Sequence, residues 1–278
     1  MLVRVGSRGS RLALTQAERA ASSLRAPGVE LVLVPITTAG DRDRSRPFGE
    51  IGSRGVFVKE LEEALLERRI DVAVHSAKDL TAADPQGLTI GAYLPRDDPR
   101  DALCGAAELR PGMRIGTASV RRRAQLLALD ATLSIEPLRG NVDTRLRKRR
   151  ERGLDAIVLA ACGLDRLGLG REIGHRFEPE AMLPEAGQGA LALQVRIGEE
   201  HLVAAADHPD TRERVEAERA VVAAVGGGCL APVAAHHDGS TLTGFVAAED
   251  GSWHERRTGV DPRRLGEELA VIASAHGA

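Results

Sequence analysis

The chain has 278 residues, 43% of them hydrophobic and 28% charged, with a formal net charge of −2. That length exceeds what one small core organises, so two or three domains are expected. The near-neutral charge argues against a nucleic-acid binder, and 2% aromatic residues are too few for base-stacking platforms.

The opening MLVRVGSRGS has no cationic stretch followed by an apolar run, so it does not read as a secretory signal. No stretch reaches the roughly 18 uninterrupted apolar residues of a membrane span. RVGSRGSRLAL (4–14) then reads as a strand turning into a helix, with Ser10 a plausible N-cap. A helix pattern follows at 15–24 and a strand at 30–37. After the charged linker GDRDRSRPFGE (40–50), a helix is predicted over 57–69 and a buried strand, IDVAVHS, over 70–76. Lys78 and Asp79 come directly after that strand, before the turn signal ADPQG at 83–87.

The next strand candidate is LTIGAYL (88–94). RIGTASVRRRAQL (114–126) repeats the strand-to-helix turn, with Ser119 as N-cap and a helix over 121–129. In LRGNVDTRLRKRRERG (138–153), Asn141 suits an N-cap and Gly153 a helix stop. Arg139 precedes that helix and Arg145 lies within it, whereas Arg147 to Arg152 read as a solvated face. LDAIVLA (154–160) is a strand, and TRERVEAERAVVAAV (211–225) is a helix running into GGGCLAP (226–232). The alternation predicts an α/β fold with mainly parallel sheets.

RRIDVAVHSAKDL (68–80) and RGLDAIVLAACGL (152–164) align without a gap, Asp71 over Asp155 and Val74 over Val158. With the two similar turns, they predict two similar α/β domains flanking a cleft. Where the first copy has Lys78 and Asp79, the second has Cys162 and Gly163. A fold shared by both copies does not need the charged pair. Ligands of parallel α/β sheets sit beyond the carboxyl ends of the strands, where this pair falls. Catalysis and a solvated salt bridge both remain open from spacing alone.

Three arginines at 121–123 oppose the positive end of a helix dipole, which calls for a compensating anion or a tolerated surface cluster. His75 reads as a hydrogen-bond partner inside the fold rather than a base. No P-loop, HExxH or EF-hand pattern is present, and no metal site is expected. Cys104, Cys162 and Cys229 form no CxxC pair, which fits a reducing cytoplasm. Cys229 follows three glycines and has the profile of either a reactive thiol or an incidental loop cysteine.

These stretches together resemble hydroxymethylbilane synthase, the porphobilinogen deaminase family. The motifs are GSRGSRLALTQA, GVFVKELEEALLERRIDVAVHSAKDL, DDPRDAL, RGNVDTRL, LPEAGQGALAL and GGGCLAP, in that order along the chain. The resemblance implies a transferase of porphyrin and heme biosynthesis. Such an enzyme condenses porphobilinogen stepwise on a covalent dipyrromethane primer, then releases a linear tetrapyrrole. It implies periplasmic-binding-protein-like domains over 1–95 with a returning segment 191–208, and over 96–190. A small α+β domain over 209–278 would carry the cofactor cysteine, and GQGALALQVR (187–196) would be the crossover hinge.

By the same resemblance, Cys229 carries the cofactor and Asp79 and Lys78 are catalytic. Lys78, Asp79, Arg121, Arg122, Ser119, Thr117 and Arg145 would hold the cofactor, and Arg8, Ser10, Gln16, Arg139 and Gln188 the substrate. A cytoplasmic monomer with no nucleic-acid or membrane partner is implied. Four positions depart from the family pattern: Arg54, Ala118, Gln194 and Gly226. A non-catalytic receptor for small carboxylates is the alternative, because two-domain α/β clefts serve both. A nucleic-acid binder using the basic helix over 145–152 is a third reading.

Overall fold

The computed structural model describes residues 1–37, 58–81, 85–226 and 232–276. In chain order the elements are β1 (Leu2–Arg8), α1 (Arg11–Ser23), β2 (Glu30–Ile36), α2 (Lys59–Leu66), β3 (Val72–Ser76), β4 (Leu88–Tyr93) and β5 (Asp101–Cys104). There follow β6 (Arg114–Gly116), α3 (Val120–Leu129), β7 (Ser134–Glu136), α4 (Val142–Glu151), β8 (Ala156–Ala160), α5 (Ala161–Arg166), β9 (Ile173–Arg176) and β10 (Leu191–Arg196). The chain ends with α6 (Pro209–Val225), β11 (Val233–His237), β12 (Leu242–Ala247), β13 (His254–Gly259) and α7 (Pro262–Ala275).

Two compact units result: Met1–Asp97 with Ala190–Glu213, and Asp98–Gly189 with Arg214–Ala278. The first holds a sheet ordered β2-β1-β3-β10-β4, and the second a sheet ordered β7-β6-β8-β5-β9. In each, the first three strands are parallel and the last two pairings antiparallel. The expected mainly parallel sheets are therefore evenly mixed. Parallel neighbours need a crossover helix, whereas β10 and β5 enter from outside the βαβ run and are free of that constraint.

The register repeats with the topology. Val5 lies opposite Val72 and Gly6 opposite Ala73; Ile115 lies opposite Ala156 and Gly116 opposite Ile157. The repeated aspartates have one job in both units. Asp71 Oδ2 accepts from Arg4 N at 2.9 Å, and Asp155 Oδ2 accepts from Arg114 N at 2.7 Å. Each aspartate N–H donates in return to the same arginine's carbonyl, at 2.8 and 3.0 Å. The two glycines are also matched. A Cβ on Gly6 would stand 2.4 Å from Ile70 Cδ1, and one on Gly116 2.9 Å from Leu154 Cδ1.

Helix α1 begins four residues before the periodic pattern, because Ser10 Oγ accepts from Ala13 N at 3.3 Å. The stretch read as a hinge is largely strand: Leu191–Arg196 is buried throughout, and the chain passes between units at Gly189–Ala190. The antiparallel β11-β12-β13 sheet has its own core of Val221, Val233, Ala235, Leu242, Leu265 and Leu269. A second cluster, Ala124, Leu183, Ala234, Phe245 and Ala247, fastens it to α3. The C-terminal sheet thus belongs to the second unit. Among the described residues no helix is long and apolar enough to cross a membrane.

Candidate functional site

In the first unit β3 ends in Ser76, and Ala77–Asp79 form a single 3-10 turn. Ala77 N donates to Ala190 O at 3.0 Å and Leu80 N to Ala77 O at 3.3 Å. Ala77 and Leu80 are buried, while Lys78 and Asp79 between them are half-buried. The charged pair therefore stands on a turn anchored at both ends. The parallel neighbour β1 ends at half-buried Arg8, and Ser10 follows as the α1 N-cap. Gln16, buried on α1, donates from Nε2 to Ser76 Oγ at 3.2 Å. Arg8, Ser10, Gln16, Lys78 and Asp79 thus gather at one edge of one sheet, beyond the carboxyl ends of β1 and β3.

His75 is buried, with Nε2 3.0 Å from Gln194 Oε1, which makes it a partner inside the fold. Gln194 Nε2 reaches Glu62 Oε1 at 3.4 Å. The Gln194 departure therefore lies in a buried polar chain beneath the site.

The second unit presents the matching edge. Ser119 caps α3, its Oγ accepting from Arg122 N at 3.4 Å, and Thr117 Oγ1 accepts from Ser119 N at 3.2 Å. Ala118 is exposed. Arg139 and Arg145 are half-buried on either side of the start of α4. Asn141 occupies the N-cap position of α4 but makes no capping hydrogen bond with its side chain. Of the basic run on α4, Arg147 pairs with Glu151 and Arg150 with Glu172 at the surface, as a solvated face does, whereas Lys148 and Arg149 are half-buried and donate to Arg139 O at 3.1 Å and Asp155 O at 3.4 Å.

The arginine run splits by burial. Arg123 is exposed, whereas Arg121 and Arg122 are 3% and 5% exposed. Their counter-ion is a residue that sequence reasoning missed, Asp101, which is 0% exposed at the start of β5. Arg122 donates to Asp101 Oδ1 from Nε at 3.0 Å and from Nη2 at 2.7 Å, and to Val158 O at 3.2 Å. Arg121 Nη1 lies 2.8 Å from Asp101 Oδ2 and donates to Leu183 O at 2.7 Å. Burial alone would push the Asp101 carboxyl up; the two guanidinium groups outweigh it and hold the carboxyl well below the usual range. The same attraction, with Glu185 adding to it, raises Arg121 against its own burial. An acid opening an otherwise apolar strand, in a chain with an uncompensated arginine run, is the signal that marks Asp101.

One carboxylate between two guanidinium groups leaves the buried triad with a positive excess. Arg121 Nε and Nη2 are buried and have no hydrogen-bond partner among the described residues. These two N–H groups share one edge of the guanidinium, the geometry that grips a carboxylate with two parallel bonds. Gln188, expected as a substrate contact, lies beside this triad. It is 0% exposed, and its Nε2 donates to Pro99 O at 2.7 Å and Asp101 Oδ1 at 2.9 Å. Its Oε1 accepts from Arg122 Nη2 at 3.4 Å.

Cys104 and Cys162 are buried thiols, and burial pushes Cys104 up to about 12, which makes it inert. Cys229 and Arg54 lie outside the described residues. Helix α6 leads toward that cysteine and stops at Gly226, whose φ of +67° is the left-handed conformation glycine favours. The Gly226 departure is thus a helix stop. Among the described residues no cluster of three or more His, Cys, Asp or Glu could hold a metal ion.

Comparison with known proteins follows the same lines. A family model described as "Porphobilinogen deaminase, dipyromethane cofactor binding domain" matches residues 3–204, and its C-terminal domain model matches residues 212–272. The porphobilinogen deaminase of Geobacter metallireducens is 43% identical over 99% of this chain and 92% of its own. That of Syntrophotalea carbinolica is 45% identical over 99% and 93%, and that of Bacillus subtilis 42% over 99% and 94%. Among solved structures, a methionine binding protein aligns with a TM-score of 0.47 at 14% identity, over 76% of this chain and 92% of its own.

Proposed function

The chain belongs to the porphobilinogen deaminase family, and from that premise we propose that Asp79 and Lys78 carry its chemistry and that the open edge of Arg121 holds acidic groups of its primer. The activity is that of a hydroxymethylbilane synthase, a transferase that condenses porphobilinogen with loss of ammonia and releases a linear tetrapyrrole. Its cofactor is dipyrromethane. When bound, that group supplies the pyrrole carbon on which the product grows and keeps successive products tethered.

The residues fit such a group. Each pyrrole brings two carboxylates, and Arg121 Nε and Nη2 are buried donors that lack acceptors among the described residues. Thr117, Ser119, Arg122 and Arg145 of the same unit are assigned to the same group, and Cys229 is assigned as the thioether attachment. Arg8, Ser10, Gln16 and Arg139 are assigned to the acid groups of porphobilinogen. Gln188 is reassigned from substrate to support of Asp101.

Asp79 acts on the substrate. The protonated aminomethyl group of porphobilinogen leaves as ammonia, the C–N electron pair going with nitrogen. A cationic methylene-pyrrole remains, and a fixed carboxylate beside it lowers the energy of that charge. When the new carbon–carbon bond forms, the displaced ring proton passes to the same carboxylate. Lys78 offsets the cost of holding Asp79 ionised before the cation arises.

One observation carries this reading: two sheets share a register, yet only the first ends its third strand in a charged pair, on an anchored turn. In the same reading the chain works as a monomer in the cytoplasm, without a nucleic-acid partner. The test is incubation of purified protein with porphobilinogen, alongside intact-protein mass. Ammonia, a tetrapyrrole and a mass excess of one dipyrromethane that Cys229→Ser abolishes are expected. A chain that yields neither ammonia nor tetrapyrrole overturns the function, and an adduct that survives Cys229→Ser overturns the attachment.

A further inference from the structure

Glu218 on α6 is 0% exposed. Its Oε2 accepts from Gly187 N at 2.7 Å. Its Oε1 accepts from His237 N at 2.8 Å and lies 3.2 Å from His236 Nδ1, both residues on β11. A carboxylate enclosed in this way is costly to bury and is retained where its hydrogen bonds set a geometry.

The geometry it sets leads to the anion site. Gly187 has a φ of +74° and directly precedes Gln188. Gln188 Nε2 donates to Asp101 Oδ1 at 2.9 Å, and Asp101 pairs with both Arg121 and Arg122. Every group in this chain belongs to the second unit. The loop at 187–188 is therefore clamped from behind by Glu218 and holds Asp101 from in front.

We propose that Glu218 is a positioning residue for the arginine anion site, acting through Gly187, Gln188 and Asp101 to aim the open edge of Arg121. Through His236 and His237 the same carboxylate ties the C-terminal sheet to that loop. The inference rests on Arg121 holding acidic groups of the primer. In Glu218→Gln, one of the two backbone N–H groups loses its acceptor because an amide nitrogen cannot accept. In Gln188→Leu, the link to Asp101 is cut without touching Glu218.

The test compares wild type, Glu218→Gln, Gln188→Leu and the double variant by intact mass, thermal melting and KM for porphobilinogen. Wild type carries the adduct. Both single variants are expected to show a several-fold smaller loaded fraction and a KM raised about tenfold. The double variant is expected to be no worse than the poorer single one, because both act on one path. Gln188→Leu keeps the test decisive where Glu218→Gln does not fold. Variants that melt earlier yet load fully with an unchanged KM overturn the inference, as do losses that multiply in the double variant. A wild-type chain without adduct overturns the functional reading itself, a result separable from the other two.

Discussion

The ends of β3 and β8 differ far more than the strands do. Both strands are buried, share a register with their neighbours, and begin beside an aspartate bound to the first strand of their sheet. Beyond β3 the chain makes one 3-10 turn that leaves Lys78 and Asp79 half-buried. Beyond β8 it continues into α5, where Cys162 and Gly163 hold the same places and are buried. The acid moves the other way in the inserted strand. Asp101 in β5 faces Ala160, whereas the equivalent place in β10, opposite Ser76, is taken by Leu191. One scaffold accepts a charge or an apolar residue at either place. The scaffold therefore does not dictate the charges: a carboxylate is displayed in the first unit, and one is locked between arginines in the second.

The sharpest way to break this contrast is Asp79→Asn. Turnover should fall roughly a thousandfold, as removal of a central electrostatic group does, while melting temperature and adduct mass stay at wild-type values. Near-normal turnover in a steady-state assay would return Asp79 to the role of a solvated charge.

Asp101→Asn should show the opposite profile, a loss of stability. Two buried guanidinium groups lose their counter-ion, at a cost of about 3–5 kcal/mol, read by denaturant unfolding. The acid side of the stability curve sharpens the point. The folded carboxyl of Asp101 is held below its ordinary value. Its stabilisation is therefore complete above the unfolded value of about 3.9 and is lost as pH falls through the lower, folded one. Acid unfolding of the wild type should include that loss, and the variant should lack it. An unchanged acid limb in the variant would deny the triad its role.

The smallest effect tests what the two units share. Ser10→Ala and Ser119→Ala each remove an N-cap hydrogen bond and should each cost about 1 kcal/mol in the same unfolding measurement. Clearly unequal costs would show that the two turns are not equivalent in energy.

Much of the site was legible along the chain. The strand-to-helix turns, the two serine caps, the repeated aspartates and the Lys78–Asp79 pair all stand out, because turn chemistry and apolar periodicity are local properties. His75 likewise read as an internal partner, and Gln194 supplies that contact. The arginine run announced a missing negative charge but not its source. Asp101 lies about twenty positions upstream of the arginines and Gln188 more than sixty downstream, and no spacing rule connects them.

The sequence by itself determined the α/β character, the duplicated strand and turn, and which side chains leave the strand ends. Tertiary structure alone decided the antiparallel entry of β5 and β10, the locking of Arg122, the open edge of Arg121, and the enclosure of Gln188 and Glu218. The physical reason is one of range. Periodicity and capping act within a few residues, whereas the partner of a buried charge is chosen by whichever distant segments the sheets bring within hydrogen-bonding distance.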